Sequence, residues 1–383
     1  MKATISIKKL LNCKLTAIGM IKHESNEKNS GSFNNDYTHF SSSKDAKKES
    51  HVNLPPGDET EKVHIPVTIS DEAKEVLDEW TIQSRNDEAH MPKGDAPAEE
   101  WAEKQDEFQE TAKDPLPELL DKFKPKVDTV FFGGIRAIDV KPKDYQKSDK
   151  IVIYIHGGAY TFFTADVTLL SSVPLADLSG LRIVSIDYTL APHAKFDQII
   201  DEILTFYQAL LKEYKAENIV IYGDSAGGGL TAGSILKMRD QSIELPRAVV
   251  LWSPWADIDQ IGDTYFTMAD NDPNLVFEDF LENCAEAYAP RDEWKNPYVS
   301  PVYGDYSKDF PPTLIQVGGK EIFMSNSIRM YRALKENNKE VELDVYEGMW
   351  HVWQGYYNIP ESKMAVKNTK NFIFKHLGIS SIE

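Results

Sequence analysis

The sequence predicts an α/β fold with a mostly parallel central sheet and helices on both faces. Two observations carry that expectation. Short all-apolar runs, such as IVIYI at 151–155 and AVVLW at 248–252, have the composition of strands covered on both faces. Between such runs lie helical patterns, clearest at 196–214, where Phe196, Ile199, Ile200, Ile203, Leu204, Leu210 and Leu211 recur at spacings of three and four. Strand, helix and strand at this rhythm imply right-handed crossovers and a parallel sheet, whose chemistry gathers beyond the carboxyl ends of the strands.

The elements follow in chain order. Residues 1–62 are rich in Ser, Asn, Lys, Glu and His and hold few large apolar groups, so a flexible N-terminal arm is expected there. Folding signals start at Val63. Ser70 with Asp71 and Glu72 opens an amphipathic helix bearing Ala73, Val76, Leu77 and Trp80. A second helix carries Ala98, Trp101, Ala102, Gln105 and Phe108, and Asp114 as cap before Pro115 opens a short third one. Residues 63–125 are therefore expected to form a helical region, and 126–383 the α/β domain. VDTVFFGGIRAIDV reads as one or two strands interrupted at Gly133 and Gly134; the remaining strands are placed at RIVSI, NIVIY, TLIQV and VELDVY.

Net charge is −19, and because residues 1–62 carry ten lysines against eight carboxylates, the remainder is more acidic still. Such a surface repels phosphate backbones, which argues against nucleic acid and for a small uncharged substrate. No apolar run is long enough to span a bilayer. The first two dozen residues pair a basic flank with an apolar stretch, but Asn12 and Lys14 interrupt it and no small-residue cleavage site follows. A cytoplasmic protein is expected, with a periplasmic or secreted one if residues 1–22 act as a signal. The two cysteines, Cys13 and Cys284, are too few for a disulfide framework or a cysteine zinc site.

The chemistry centres on IYGDSAGGGL at 221–230. Gly223-x-Ser225-x-Gly227, entered from a strand and left by a helix, is the tight turn that lifts a serine hydroxyl above a sheet. His156-Gly157-Gly158-Ala159 follows the strand IVIYI, and side-chain-poor residues there let backbone N–H groups meet a developing oxyanion. Ala226, after the serine, adds one more donor. The chain order nucleophile, acid, histidine selects His351, in EGMWHVW after the last strand; the other eight histidines lie in the arm, the cap, other turns or the final helix. The loop after TLIQV offers Glu321 as the acid, with Asp344 and Glu347 as alternatives. Trp80, Phe162, Phe163 and Trp353 are candidates to line the substrate pocket.

HGGAY, GDSAGG, SPWADI, NPYVSPVYGDYSKDFPPTLIQVGGKE and MWHVW together make the chain resemble, from about residue 63 onward, the hormone-sensitive-lipase-like branch of the α/β-hydrolases, the bacterial family IV esterases. The resemblance implies a carboxylesterase with an N-terminal helical cap, acting on short- to medium-chain acyl esters without metal or organic cofactor, and often a homodimer. It places Ser225, His351 and Glu321 in the triad, with glutamate a recognised variant of the acid, and Gly157, Gly158 and Ala226 in the oxyanion hole. Two departures stand out. Ala159 replaces the usual third glycine, and DYTLAPH at 187–193 lacks the arginine and glutamate common in that turn, so the turn is expected to be held differently. Two rival readings are a serine amidase or peptidase of the same fold and a non-catalytic ligand-binding relative; retention of His351 counts against the second.

Overall fold

The computed structural model describes residues 63–80 and 90–380. The arm, Cys13 and the stretch 1–22 weighed as a signal lie outside the described residues. Eight strands form one sheet in the order β1-β2-β4-β3-β5-β6-β7-β8. The strands are β1 (Lys126–Phe132), β2 (Ile135–Lys141), β3 (Ile151–Ile155), β4 (Ile183–Ile186), β5 (Ile219–Asp224), β6 (Ala248–Trp252), β7 (Thr313–Gly318) and β8 (Val341–Tyr346). β1 and β2 are two strands, joined by Gly133 and Gly134, both at positive φ, as a two-residue hairpin turn of the primed type demands. β2 runs antiparallel to β1 and β4, and every pairing from β4 to β8 is parallel.

Alternation along the strands divides the core between the two faces. Ile151, Ile153 and Ile155 of β3, with Ile219 and Ile221 of β5, enter the cluster containing α5 (Phe196–Leu210) and α6 (Ser225–Asp240). Val152, Tyr154, Val220 and Tyr222 point the other way, onto α4 (Leu169–Ser179) and α10 (Pro360–Leu377). Each such aliphatic side chain, fully removed from water, contributes about 1.5–3 kcal/mol before conformational entropy is set against it.

The N-terminal helices attach at three separate places. α1 (Asp71–Asp78) is capped by the Ser70 hydroxyl, which accepts from the Ala73 N–H, and its Ala73 and Leu77 pack with Trp80, Met349, Trp350 and Trp353. α2 (Ala98–Ala112) buries Trp101 in the main cluster, while α3 (Leu116–Phe123) places Leu119 in the cluster on the other face. Asp114 does not cap α3. The chain leaves α2 through a tight turn, Leu116 N–H to Lys113 O, which puts Pro115 at the N-cap position of α3 with no side-chain cap.

Three α-helices, besides shorter helical turns, lie between β6 and β8: α7 (Thr264–Thr267), α8 (Glu282–Tyr288) and α9 (Met324–Glu336). Cys284 on α8 is fully buried, and burial pushes its thiol up to about 12 although the Thr161 hydroxyl donates to its sulfur at 3.4 Å. At pH 8 only about one thiol in ten thousand would be the reactive thiolate. Mass spectrometry should therefore find the Cys284 peptide unlabelled by iodoacetamide in the native protein and fully labelled in guanidinium.

Candidate active site

The strand order reverses around β3, whose successors β4 and β5 lie on its two sides. At such a switch point the loops leaving the carboxyl ends of neighbouring strands diverge and open a crevice. Ile155, the last residue of β3, pairs with Gly223 of β5, so the turns that follow these strands start side by side.

Ser225 occupies the turn between β5 and α6 with φ +54, a left-handed conformation that costs a non-glycine residue about 1–3 kcal/mol and persists only where its surroundings enforce it. Two features do so here. The Trp255 N–H donates to the Ser225 carbonyl at 2.8 Å. A Cβ on Gly227 would lie 2.0 Å from the Ile155 carbonyl oxygen, so only glycine lets the first turn of α6 rest on the end of β3.

The triad predicted from the sequence comes together. His351 Nε2 is 2.8 Å from Ser225 Oγ, and its Nδ1 is 2.9 Å from Glu321 Oε2. Glu321 is fully buried; burial raises its pKa, and the His351 imidazole, the Ser253 hydroxyl and the Gly318 N–H oppose the rise. Its Oε1 accepts from Ser253 Oγ at 2.7 Å and Gly318 N at 2.6 Å, and Ser253 in turn accepts from the Val352 N–H at 3.2 Å. Ser253 thus joins the loop of the acid to the loop of the histidine. The alternative acids stand elsewhere: Asp344 accepts from Gln316 and Asn368, and Glu347 from the Thr68 hydroxyl.

The oxyanion assignment needs one correction. The Gly157 N–H is committed to Asp224 Oδ1 at 2.8 Å and is not available to a substrate oxygen. Asp224 is buried just before Ser225 and also accepts from the Tyr154 hydroxyl at 2.7 Å; burial raises its pKa, and these donors oppose the rise. By holding Gly157 the carboxylate anchors the turn, and the next two residues carry the free donors. The N–H groups of Gly158 and Ala159 bond to no described residue, and Ala226 lies in the first turn of α6, where N–H groups lack an intrahelical acceptor. Gly158 has φ +112, and a Cβ there would lie 2.2 Å from the Phe162 carbonyl oxygen, so this glycine cannot be replaced cheaply.

Of the four pocket candidates, three prove to be core. Trp353 packs on Tyr346, Trp80 meets Trp350 edge to face, and Phe162 stacks on Phe108 with ring centroids 4.4 Å apart. Only Phe163 keeps partial exposure, and its ring lies against Gly158. Sequence periodicity cannot separate an aromatic over the site from one under it.

The turn at 187–193 is indeed held by other means. Thr189 donates from its N–H and hydroxyl to Glu202 at 2.8 and 2.7 Å, and Asp187 pairs with Arg136 at 2.6 Å. Gln105 of α2 donates to the carbonyls of Thr161 and Ala191, and Gln109 reaches Thr164, which ties α2 to the loop behind Gly158. Asp224 and Ser253 were missed from the sequence as members of the site. Their signals were present, an acid directly before the nucleophile and a serine directly after a strand, but nothing in the sequence says which partners they find.

A family model described as the α/β-hydrolase fold matches residues 152–355. The chain is similar to an acetyl-hydrolase of Streptomyces hygroscopicus, 29% identical over 251 residues that make up 65% of this chain and 83% of that one. Among solved structures it is similar to the esterase E25, with TM-score 0.77, 28% identity and coverage of 82% and 96% of the two chains. It also resembles an esterase from the bacterial hormone-sensitive lipase family, with TM-score 0.66, 28% identity and coverage of 72% and 92%. The chain belongs to the α/β-hydrolase fold family. Within that family it is a carboxylic ester hydrolase of the hormone-sensitive-lipase-like branch.

Proposed function

We propose that the chain cleaves short- to medium-chain acyl esters of small uncharged alcohols at the Ser225 centre. The observation that carries this is the unbroken hydrogen-bond row Ser225, His351, Glu321 beside N–H donors that have no other acceptor among the described residues. His351 Nε2 takes the Ser225 proton as the oxygen attacks the ester carbonyl; the N–H groups of Gly158, Ala159 and Ala226 receive the oxyanion. His351 then protonates the departing alcohol, and water repeats the sequence on the acyl-enzyme. Glu321 keeps the proton on Nδ1 and stabilises the imidazolium that forms in each half-reaction.

The acyl preference is supported by the acetyl-hydrolase relative and by Phe163 crowding the oxyanion turn. The acidic chain favours uncharged substrates over nucleic acid. Among the described residues no helix is long and apolar enough to cross a membrane, and a cytoplasmic place is part of the reading. So is a homodimer, formed along β8, the strand that ends the sheet.

A series of p-nitrophenyl esters from acetyl to dodecanoyl, with the matching p-nitroanilides, tests the proposal. The specificity constant should peak between acetyl and hexanoyl and fall at least about tenfold by dodecanoyl, with anilides slower throughout. Anilides cleaved as fast as esters would make the protein an amidase, and a maximum at dodecanoyl would overturn the acyl-length assignment.

A further inference from the structure

A second carboxylate, outside the triad, grips the loop that carries the acid. Asp272 lies in the long excursion between β6 and β7 and is fully buried. Its Oδ2 accepts from the N–H of Ile322, the residue after Glu321, at 2.8 Å, and its Oδ1 accepts from the N–H groups of Asn274 and Leu275 at 2.9 and 3.0 Å. The carbonyl of Ile322 is held as well, by the Thr264 hydroxyl at 2.6 Å, and Thr264 is itself locked to Ser325 by two bonds of 2.9 Å. On the other side of the acid, the N–H groups of Gly319 and Lys320 donate to the carbonyls of Tyr346 and Met349. The backbone before Glu321 is thus fastened to β8 and the histidine loop, and the backbone after it to Asp272 and Thr264.

We propose that Asp272 is a positioning residue for the triad acid, fixing the peptide after Glu321 so that the carboxylate meets His351 Nδ1. The need for it follows from the side chain. Glutamate has one more rotatable bond than aspartate, so backbone play at Glu321 is amplified at its carboxylate, and displacement of a catalytic group by about 1 Å typically costs on the order of a hundredfold in rate. The three N–H donors on Asp272 suit an ionised carboxylate; burial raises its pKa, and the Ile322 N–H and the His351 imidazole oppose that rise. Asp272 acts through Glu321, whose neighbouring N–H it holds.

The role rests on Glu321 being the triad acid, and a double-mutant cycle separates the two claims. Asp272→Asn keeps the shape and loses the charge; kcat on p-nitrophenyl butyrate is expected to fall about tenfold to a hundredfold with KM within about twofold. In the Glu321→Gln background the same change should lower kcat less than about twofold, because a residue acting through the acid has nothing left to position. An equal loss in both backgrounds, or wild-type kcat in the single variant, would overturn the role. A Glu321→Gln enzyme with wild-type turnover would instead overturn the acid assignment, and this role with it. If Asp272→Asn does not fold, Thr264→Val releases the carbonyl of the same residue, Ile322, and should show the same background-dependent loss, several-fold in size; an equal loss in both backgrounds overturns the role there too.

Discussion

Alanine in place of Ser225 is expected to lower kcat on p-nitrophenyl butyrate by roughly a millionfold, the scale on which a serine triad fails when its nucleophile is removed. The magnitude follows from what survives. The N–H groups of Gly158, Ala159 and Ala226 still polarise a bound ester, and His351 can still activate a water, but no hydroxyl lies 2.8 Å from Nε2 to form the acyl-enzyme. The fold should be untouched. Ser225 Oγ bonds only His351 among the described residues, and alanine bears the same left-handed φ of +54 at the same cost as serine. Steady-state kinetics with the melting temperature as control checks this, and labelling by a fluorophosphonate should vanish in parallel. Turnover above about 1% of wild type in a folded variant would place the nucleophile elsewhere.

The sheet and the glycine-flanked turn at Ser225 were legible in the sequence because each depends on local chemistry. Five-residue runs such as IVIYI declare a doubly covered strand, and Gly223-x-Ser225-x-Gly227 declares a turn whose atoms nearly touch the neighbouring strand. What could not be read depends on distances between segments remote in the chain. That Gly157 gives its N–H to Asp224, moving the free donors one residue along to Gly158 and Ala159, is a fact of packing between β3 and β5. The same holds for the aromatics. Trp80, Phe162 and Trp353 have the residue type of a pocket lining, but whether a ring faces a substrate or the core is decided by the helix laid against it. Asp114 shows the limit at a helix start: a good capping residue one position early is bypassed when the preceding turn continues into the helix.

Glu321→Gln should be the second most damaging change, with kcat lowered about ten-thousandfold, since the geometry forces the wrong histidine tautomer. Three donors converge on the two oxygens of Glu321: the Ser253 hydroxyl and the Gly318 N–H on Oε1, and the His351 Nδ1–H on Oε2. Glutamine offers one oxygen and one NH2, so one of those places must receive a donor. The Gly318 N–H cannot turn away, which directs the amide oxygen to it and the NH2 to His351. Nδ1 must then accept, its proton moves to Nε2, and the imidazole can no longer take a proton from Ser225. Burial of Glu321 sharpens the effect, because the chain leaves no room for water to restore the missing acceptor. Glu321→Asp keeps the charge but withdraws the carboxylate by about 1.5 Å, one carbon–carbon bond, and should recover part of the loss. KM should stay within about twofold in both variants, since neither oxygen touches substrate. A Glu321→Gln enzyme within tenfold of wild type would mean that His351 is oriented by some other acceptor and that the bond at 2.9 Å is only structural.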